Sequence, residues 1–215
     1  MVYNLNILNK FYINKKYDYL ITKKIIIWGN YWKKFYSYNY RCVSIGYLEN
    51  RINFQSSKKK KQIFIVSSIF SRKYLIELLK FLSTNLKDYK IIYKLRPEEN
   101  FTEIKKFINF DVKNVLFLKT LSENKLKKII SQSLYVIGTN STLLSESIGI
   151  SNVIVYKKGW YYEYNDLIKK NIFFLGKNCK HILSIIKIKK NIKKKFNLNK
   201  LFQKPKIFIL RNLLR

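Results

Sequence analysis

Between residues 60 and 185, short apolar runs alternate with longer amphipathic segments, and this alternation restricts the possible folds more than any other feature of the sequence. The run from Gln62 to Val66 is apolar and rich in β-branched residues, which predicts a strand. Leucines from Leu75 to Leu82 then recur at helical spacing behind Ser71, a residue type that caps helices. The first unit is therefore a strand followed by a helix.

The same unit recurs along the chain. Further strands are predicted at residues 90–95, 115–118, 134–137, 153–156 and 172–175. The helices between them are predicted to begin behind Asn100, with Glu103 three residues later, and behind Ser122; others end at Ile148 and span residues 166–170. Short strands that are apolar on both faces, separated by such helices, pair in parallel with helices covering both faces of the sheet. The predicted fold class is α/β, with an open, mostly parallel Rossmann-like sheet.

The flanking segments lack this alternation, so three regions are predicted. Residues 1–60 contain only a short strand candidate at 25–28 and an apolar patch at 42–45, and we interpret them as a remnant or linker from a preceding domain. Residues 61–185 form the Rossmann-like domain. Residues 186–215 are predicted to be a basic helical tail, which either lies on an anionic membrane or packs back on the domain.

The chain is strongly basic, with 44 Lys and Arg against 12 Asp and Glu and a formal net charge of +32. Such a charge attracts polyanions: nucleic acid, anionic lipid or phosphorylated ligands. The abundance of Ile, Lys, Asn and Tyr indicates skewed residue usage, so much of the lysine is equally explained as a solvated surface. The acid-free runs at Lys58–Lys61 and Lys187–Lys195 are harder to explain in that way.

Neither a metal site nor a disulfide framework is expected. The chain has two cysteines, Cys42 and Cys179, far apart and without CxxC spacing, and a single histidine, His181. Neither GxGxxG nor GxxxxGK[ST] occurs, so no dinucleotide fingerprint or P-loop is present and no cofactor is expected. The amino terminus lacks a signal-peptide pattern and no run of about 18 uncharged apolar residues occurs, which predicts a cytoplasmic protein.

The turns that follow the strands carry the candidate site, because right-handed crossovers bring the carboxyl ends of parallel strands to one edge, where open sheets bind ligands. Ser67 and Ser68 follow the first predicted strand, and Arg96, Pro97, Glu98 and Glu99 follow the second. Gly138, Thr139, Asn140, Ser141 and Thr142 follow the fourth. A glycine followed by small polar residues at a helix start suits a phosphate group.

On the helix that begins there, Thr142 and Glu146 share one face, while Leu144 and Ile148 share the face expected to pack on the sheet. The Glu146 carboxylate would then lie beside the phosphate cradle, where it is suited to accept hydrogen bonds from ribose hydroxyls. The alternative is that Asn140 and Ser141 only cap the helix and that Glu146 is solvated.

Two stretches resemble a known family. The order Tyr-Lys-Leu-Arg-Pro-Glu-Glu at 93–99, followed by Val-Ile-Gly-Thr-Asn-Ser-Thr-Leu-Leu-Ser-Glu-Ser at 136–147, resembles the carboxyl-terminal, donor-binding half of bacterial GT-B glycosyltransferases. The pattern is most similar to the capsular and lipooligosaccharide sialyltransferase or polysialyltransferase type, with the glycerophosphotransferases of teichoic acid synthesis as cousins. Residues 27–32 and 43–46 similarly resemble the interdomain passage of these enzymes.

This resemblance implies roles for particular residues. Ser141 and Thr142 would hold the nucleotide phosphate, Glu146 the ribose, and the turn Arg96-Pro97-Glu98 would face the donor phosphate or base. The family histidine is replaced by Arg96, which keeps a cation but cannot exchange a proton near neutral pH. No catalytic residue is therefore assigned.

The resemblance further implies a glycosyltransferase-like protein that binds a CMP- or UDP-linked sugar and serves bacterial capsule or lipooligosaccharide synthesis, with a glycan acceptor. Residues 1–24 are too short for the acceptor-binding half, so a partner chain is expected to supply it. The inner face of the plasma membrane is a second expected partner, because of the basic tail. The alternatives are a nucleic-acid-binding protein, an inactive truncated remnant, and a sugar-nucleotide epimerase, whose acid and base residues are hard to place in a chain with one histidine.

Overall fold

The computed structural model describes residues 24–27, 41–44, 58–159 and 161–188. They belong to two units. In one unit, the strands β1 (Lys24–Ile27) and β2 (Arg41–Ser44) pair in parallel, with Lys24 opposite Arg41. These strands fall on the predicted strand at 25–28 and on the apolar patch at 42–45. The expected tail from 186 onward lies almost wholly outside the described residues.

The second unit, which includes residues 58–188, contains a six-stranded sheet. Its strands are β3 (Lys60–Val66), β4 (Lys90–Lys94), β5 (Val115–Leu118), β6 (Ser133–Gly138), β7 (Asn152–Tyr156) and β8 (Phe174–Gly176). Every pairing is parallel, and the order across the sheet is β5-β4-β3-β6-β7-β8. The chain thus builds outward from β3 in one direction and then returns to add β6 on the other side, as in doubly wound folds.

Within residues 58–188, six α-helices lie between and after these strands. They are α1 (Arg72–Asn85), α2 (Phe101–Lys105), α3 (Glu123–Gln132), α4 (Thr142–Glu146), α5 (Asn165–Lys169) and α6 (Cys179–Lys187). Asn100 caps α2 as predicted, accepting a hydrogen bond from the Thr102 amide at 3.1 Å. Ser71 and Ser122 precede α1 and α3 as predicted, but neither side chain makes a capping hydrogen bond.

The central strands are buried on both faces. Successive residues of β3, from Ile63 to Val66, alternate between the two faces, and all of them are buried. One face packs against the apolar stripes of α1 and α6, which include Leu75, Leu79 and Ile182. A strand buried on both faces requires cover on both, which explains the continuous apolar runs in the sequence and confirms the predicted fold class.

The last strand differs from its prediction. It spans Phe174–Gly176, two residues later at its start than the predicted 172–175. Ile172 and Phe173 are buried, but their amides donate to the Leu167 carbonyl at 2.9 and 3.2 Å and so close the end of α5. These two residues are apolar because they pack at the end of α5, and not because they belong to the strand. Among the residues that the structure describes, no helix is long and apolar enough to cross a membrane.

Candidate functional site

The point where the strand order reverses lies between β3 and β6, and the turns after these two strands border it. Crossovers from β3 and β6 run in opposite directions, which opens a crevice at their carboxyl ends. Ser67 and Ser68 follow β3 at this edge and Thr139 follows β6, and all three residues are buried. The Ser67 amide donates to the Lys94 carbonyl at 2.9 Å, which joins the turn after β4 to the same edge.

The turn after β4 is organised by Glu99, whose side chain is 0% exposed. Its Oε1 accepts hydrogen bonds from Ser67 Oγ at 2.7 Å and from Arg72 Nε at 3.0 Å. Its Oε2 accepts one from the Arg96 amide at 2.7 Å. Tyr93 extends the network, because its hydroxyl lies 3.0 Å from Ser67 Oγ, and burial raises the pKa of Tyr93. The carboxylate therefore holds the ends of β3, β4 and α1 together.

The sequence singled out Arg96, Pro97 and Glu98 in this turn. The structure leaves Pro97 and Glu98 exposed and Arg96 half-buried, with the Arg96 backbone held by Glu99. Donor binding by these three side chains stays a prediction. Two adjacent glutamates give no sequence signal that separates the buried one from the exposed one, which is why the role of Glu99 was missed.

The turn after β6 is held by Tyr164, a residue that the sequence did not indicate. The Ser141 amide donates to the Tyr164 hydroxyl at 3.0 Å, and this hydroxyl donates to the Ser141 carbonyl at 2.7 Å. Ser141 Oγ accepts from the Leu143 amide at 3.3 Å and so caps α4. Burial raises the pKa of Tyr164 well above its usual value, so the hydroxyl stays protonated. Ser141 has a clear structural role, as the alternative interpretation expected.

Helix α4 ends at Glu146, two residues before the predicted end at Ile148. Leu144 in the helix and Ile148 just beyond it are buried, as predicted, whereas Thr142 and Glu146 are half-buried. Both Glu146 and Glu163 lie close enough to Tyr164 for their charges to raise its pKa further. Burial also raises the pKa of the Glu163 carboxyl. Two carboxylates therefore stand on the α4 side of the crevice, and the sequence had indicated only one.

Glycine at 138 permits a close internal contact. A Cβ added at Gly138 would lie 3.3 Å from Leu144 Cδ2 and 3.4 Å from the Val66 carbonyl oxygen. The glycine thus lets β6 approach α4 and the end of β3. Asn140, a predicted site residue two positions after Gly138, is half-buried.

Thr139 is the unusual residue of this turn. It is 0% exposed, and its Oγ1 has no hydrogen-bond partner among the residues that the structure describes. Buried polar atoms almost always have partners, so such an atom indicates a site that is completed by something else. In the described ranges, no three His, Cys, Asp or Glu side chains lie together as metal ligands would.

No protein-family model matches the sequence, and no curated protein matches it. Solved structures do match at the level of fold. UDP-GlcNAc 2-epimerase of Methanocaldococcus jannaschii, in complex with UDP-GlcNAc and UDP, gives a TM-score of 0.62 at 13% identity over 94% of this chain. A second structure of the M. jannaschii epimerase gives 0.52 at 14% identity, covering 85% of this chain and 58% of that one. The GtfA/B complex gives 0.54 at 14% identity, covering 84% of this chain and 42% of that one.

These similarities define the class of fold: a GT-B-like, Rossmann-type α/β domain. The chain spans 64% of the length of the epimerase chain solved with UDP-GlcNAc and UDP. At 13–14% identity the likeness extends to the fold alone. The sialyltransferase or polysialyltransferase type, which the sequence resemblance named, gains no support from these matches.

Proposed function

We propose that the chain binds a nucleotide sugar in the crevice between the carboxyl ends of β3 and β6. The observation that carries this proposal is the reversal of strand order at that point, bordered by hydroxyl-bearing turns from both strands. Open α/β sheets bind their ligands at such reversals. The fold shared with an epimerase solved with UDP-GlcNAc and UDP supports a UDP-linked ligand over a CMP-linked one.

Candidate contacts come from both sides of the crevice. On α4, Thr142 and Glu146 share the half-buried face, and the Glu146 carboxylate suits the ribose hydroxyls. Arg96, next to the exposed Pro97 and Glu98, supplies a permanent cation for the donor phosphate or base. Ser141 contributes less than the sequence pattern suggests, because its hydroxyl already caps α4 and its amide already donates to the Tyr164 hydroxyl.

The reaction we propose is transfer of the sugar from its nucleotide to a glycan hydroxyl, in bacterial capsule or lipooligosaccharide synthesis at the cytoplasmic face of the plasma membrane. The acceptor hydroxyl oxygen bonds to the anomeric carbon and gives its proton to a base on the acceptor side. The bond between the anomeric carbon and the phosphate oxygen breaks, and the nucleotide leaves with the bonding electrons. Residues 58–188 would orient the donor and neutralise the leaving phosphate. Groups that bind the acceptor are to be sought elsewhere, including on a partner chain.

Epimerisation of the nucleotide sugar is the second candidate. It is favoured by the two carboxylates near Tyr164, since the half-buried Glu146 and Glu163 offer groups for proton transfer without a histidine. The two functions share the ligand and differ in the product. Incubation with UDP-GlcNAc and analysis of the sugar released or altered would separate them.

Calorimetric titration with UDP, CDP and CMP tests the ligand. We expect UDP to bind and Glu146→Gln to weaken it about tenfold, because a hydrogen bond to a charged group is lost. Glu123→Gln is the matched control, since Glu123 is an exposed residue of α3 that pairs with Lys127. The proposal fails if no nucleotide binds while a single-stranded oligonucleotide binds tightly and with strong salt dependence, which would favour a nucleic-acid-binding protein.

A further inference from the structure

The two edges of the six-stranded sheet differ in how they are covered. At one edge, β8 has three residues, and a Cβ added at Gly176 would clash with Ile182, so α6 packs directly on the end of this strand. At the other edge, β5 pairs only with β4 among the described strands, and none of its four residues is buried. In the part of the chain that the structure describes, β5 is therefore the open edge of the sheet.

The outer side of β5 carries backbone groups that are suited to pair with a further strand. On the inner side, the Leu118 carbonyl accepts from the Leu95 amide at 2.8 Å. Because successive carbonyls of a strand point in opposite directions, those of Val115 and Phe117 face away from the sheet, as does the Phe117 amide. No described residue forms a hydrogen bond with these three outer groups. Unpaired groups along a sheet edge are a template for another strand.

Side chains hold this edge in one conformation. The Phe117 ring contacts both Tyr93 and Phe101, with ring centroids 5.7 and 5.4 Å apart. The Asn114 side-chain amide donates to the Leu86 and Tyr89 carbonyls at 3.0 and 3.1 Å, which fixes the turn before β4 against the start of β5. A partner that binds an edge already ordered in this way loses less free energy to the ordering of the protein.

A groove of about 440 Å³ lies beside the start of β5. Three of the residues that line it are exposed lysines, namely Lys87, Lys90 and Lys113. The carboxylate in its lining, Asp88, already pairs with Lys61 at 2.7 Å. The Lys113 side chain is 92% exposed and lies 3.9 Å from Asp111, a loose contact that leaves it open to solvent. Leu116, which is 39% exposed, adds apolar surface, so the groove suits acidic residues that alternate with apolar ones.

A second copy of this chain fits the β5 edge poorly. A two-fold antiparallel pairing centred on Leu116 would place Lys113 of one copy opposite the exposed Lys119 of the other. Like charges directly opposite each other destabilise strand pairing. The formal net charge of +32 on each chain opposes the same contact. Charge complementarity therefore favours a partner that carries acidic residues.

We propose that β5 binds an extended acidic segment of a partner protein, which adds to the sheet as a further strand. The backbone of this segment pairs with the outer groups of Val115 and Phe117, and an apolar side chain packs on Leu116. Its Asp or Glu side chains lie in the groove against the three lysines. Binding of this kind takes affinity from main-chain hydrogen bonds and specificity from side chains. The groove is at the start of β5, away from the carboxyl ends of the strands, so the proposal does not depend on the nucleotide-sugar function.

Peptide selection tests the chemistry of the partner. Random short peptides displayed on phage are selected on the full chain, and fluorescent synthetic copies of the selected peptides are titrated by anisotropy. We expect these peptides to alternate Asp or Glu with β-branched or aromatic residues. Lys113→Glu should weaken their binding about tenfold, because an attractive charge becomes a repulsive one. Lys180→Glu, the same change at an exposed residue of α6, should leave binding within about twofold.

The peptide backbone distinguishes strand addition from charge attraction alone. In a paired strand, alternate amides point toward β5 and away from it. N-methylation of one alternate set of amides in a selected peptide should therefore weaken binding about tenfold or more, because the pairing donors are lost. N-methylation of the other set should leave binding within about threefold. Equal effects of the two sets would contradict strand addition.

Other occupants of the edge give different results. If no peptide is selected, or if the selected peptides are not acidic, the proposal is wrong. If a single-stranded oligonucleotide binds in a manner that Lys113→Glu abolishes, while no peptide binds, the groove is a site for polyanions and the proposal fails. If sedimentation shows a dimer that Leu116→Lys dissociates, the edge is an interface between copies of this chain. Denaturant midpoints show that each variant is folded, and Lys90→Glu replaces Lys113→Glu if that variant is destabilised.

Discussion

The turns after β4 and β6 lie at the same edge of one sheet, yet they satisfy their buried polar groups in opposite ways. After β4, the Glu99 carboxylate accepts three hydrogen bonds, from Ser67, Arg72 and the Arg96 backbone. After β6, the Thr139 hydroxyl is equally buried and has no partner among the described residues. The sequence marks both turns as candidate sites, and it does not distinguish them.

This difference indicates that the turn after β4 is a rigid part of the structure and that the turn after β6 is a binding surface. A fully bonded buried network is stiff, because each group is held by several others and loses much if one leaves. A buried hydroxyl without a hydrogen bond destabilises the folded state, and a ligand or water that bonds to it removes this destabilisation. We therefore expect changes after β4 to act on stability and changes after β6 to act on ligand binding.

The largest expected effect is at Glu99. Replacing it in Glu99→Ala leaves Arg72, Ser67 and the Arg96 amide without their shared acceptor. We expect the free energy of unfolding to fall by about 3–5 kcal/mol, as for other broken buried ion pairs. Urea unfolding followed by circular dichroism measures it.

The adjacent residue is the matched control for this prediction. Glu98→Ala alters an exposed carboxylate, and we expect the unfolding free energy to stay within about 0.5 kcal/mol. Equal losses of unfolding free energy in Glu98→Ala and Glu99→Ala would contradict the view that Glu99 makes the turn after β4 rigid.

The next effect is at Tyr164, which holds Ser141 through both its amide and its carbonyl. Tyr164→Phe should lower the unfolding free energy by about 1–3 kcal/mol, because a part-buried amide loses its acceptor. Tyr162→Phe serves as the comparison, since Tyr162 is 64% exposed and should tolerate the change. A neutral Tyr164→Phe would mean that α4 keeps its position without this clasp.

The two turns can be compared directly with a pair of hydroxyl deletions. Thr139→Val removes an unbonded hydroxyl at constant shape, so stability should hold or rise by up to about 1 kcal/mol. Ser67→Ala removes a donor to Glu99, so stability should fall by about 1–3 kcal/mol. Denaturant midpoints of the two variants, measured side by side, test this comparison. A clear loss of stability in Thr139→Val would show that the Thr139 hydroxyl is hydrogen-bonded.

The smallest effect concerns pH. Burial raises the pKa of Glu163 above its ordinary 4.5, so between that value and the raised one the folded chain binds more protons than the unfolded chain. Stability contributed by this group is present at low pH and is lost as pH rises through the window. Glu163→Gln should flatten that part of the curve of unfolding midpoint against pH, whereas Glu123→Gln should leave it unchanged.

Much of the fold follows from local pattern. Each of the six strands of the sheet begins within two residues of its predicted position, because strand and helix periods are properties of neighbouring residues. Parallel pairing followed from strands that are apolar on both faces. The burial of Leu144 in α4 and of Ile148 just beyond it followed from spacing alone.

The sequence by itself thus determined which residues form strands and helices, that the strands are parallel, and that the polar turns share one edge. Only the tertiary structure decided that Glu99 and not Glu98 is buried, that Tyr164 clasps Ser141 across 23 positions, and that Thr139 has no partner. The reason is physical: backbone period is set by adjacent residues, whereas the burial and bonding of a turn side chain depend on groups that only folding brings together.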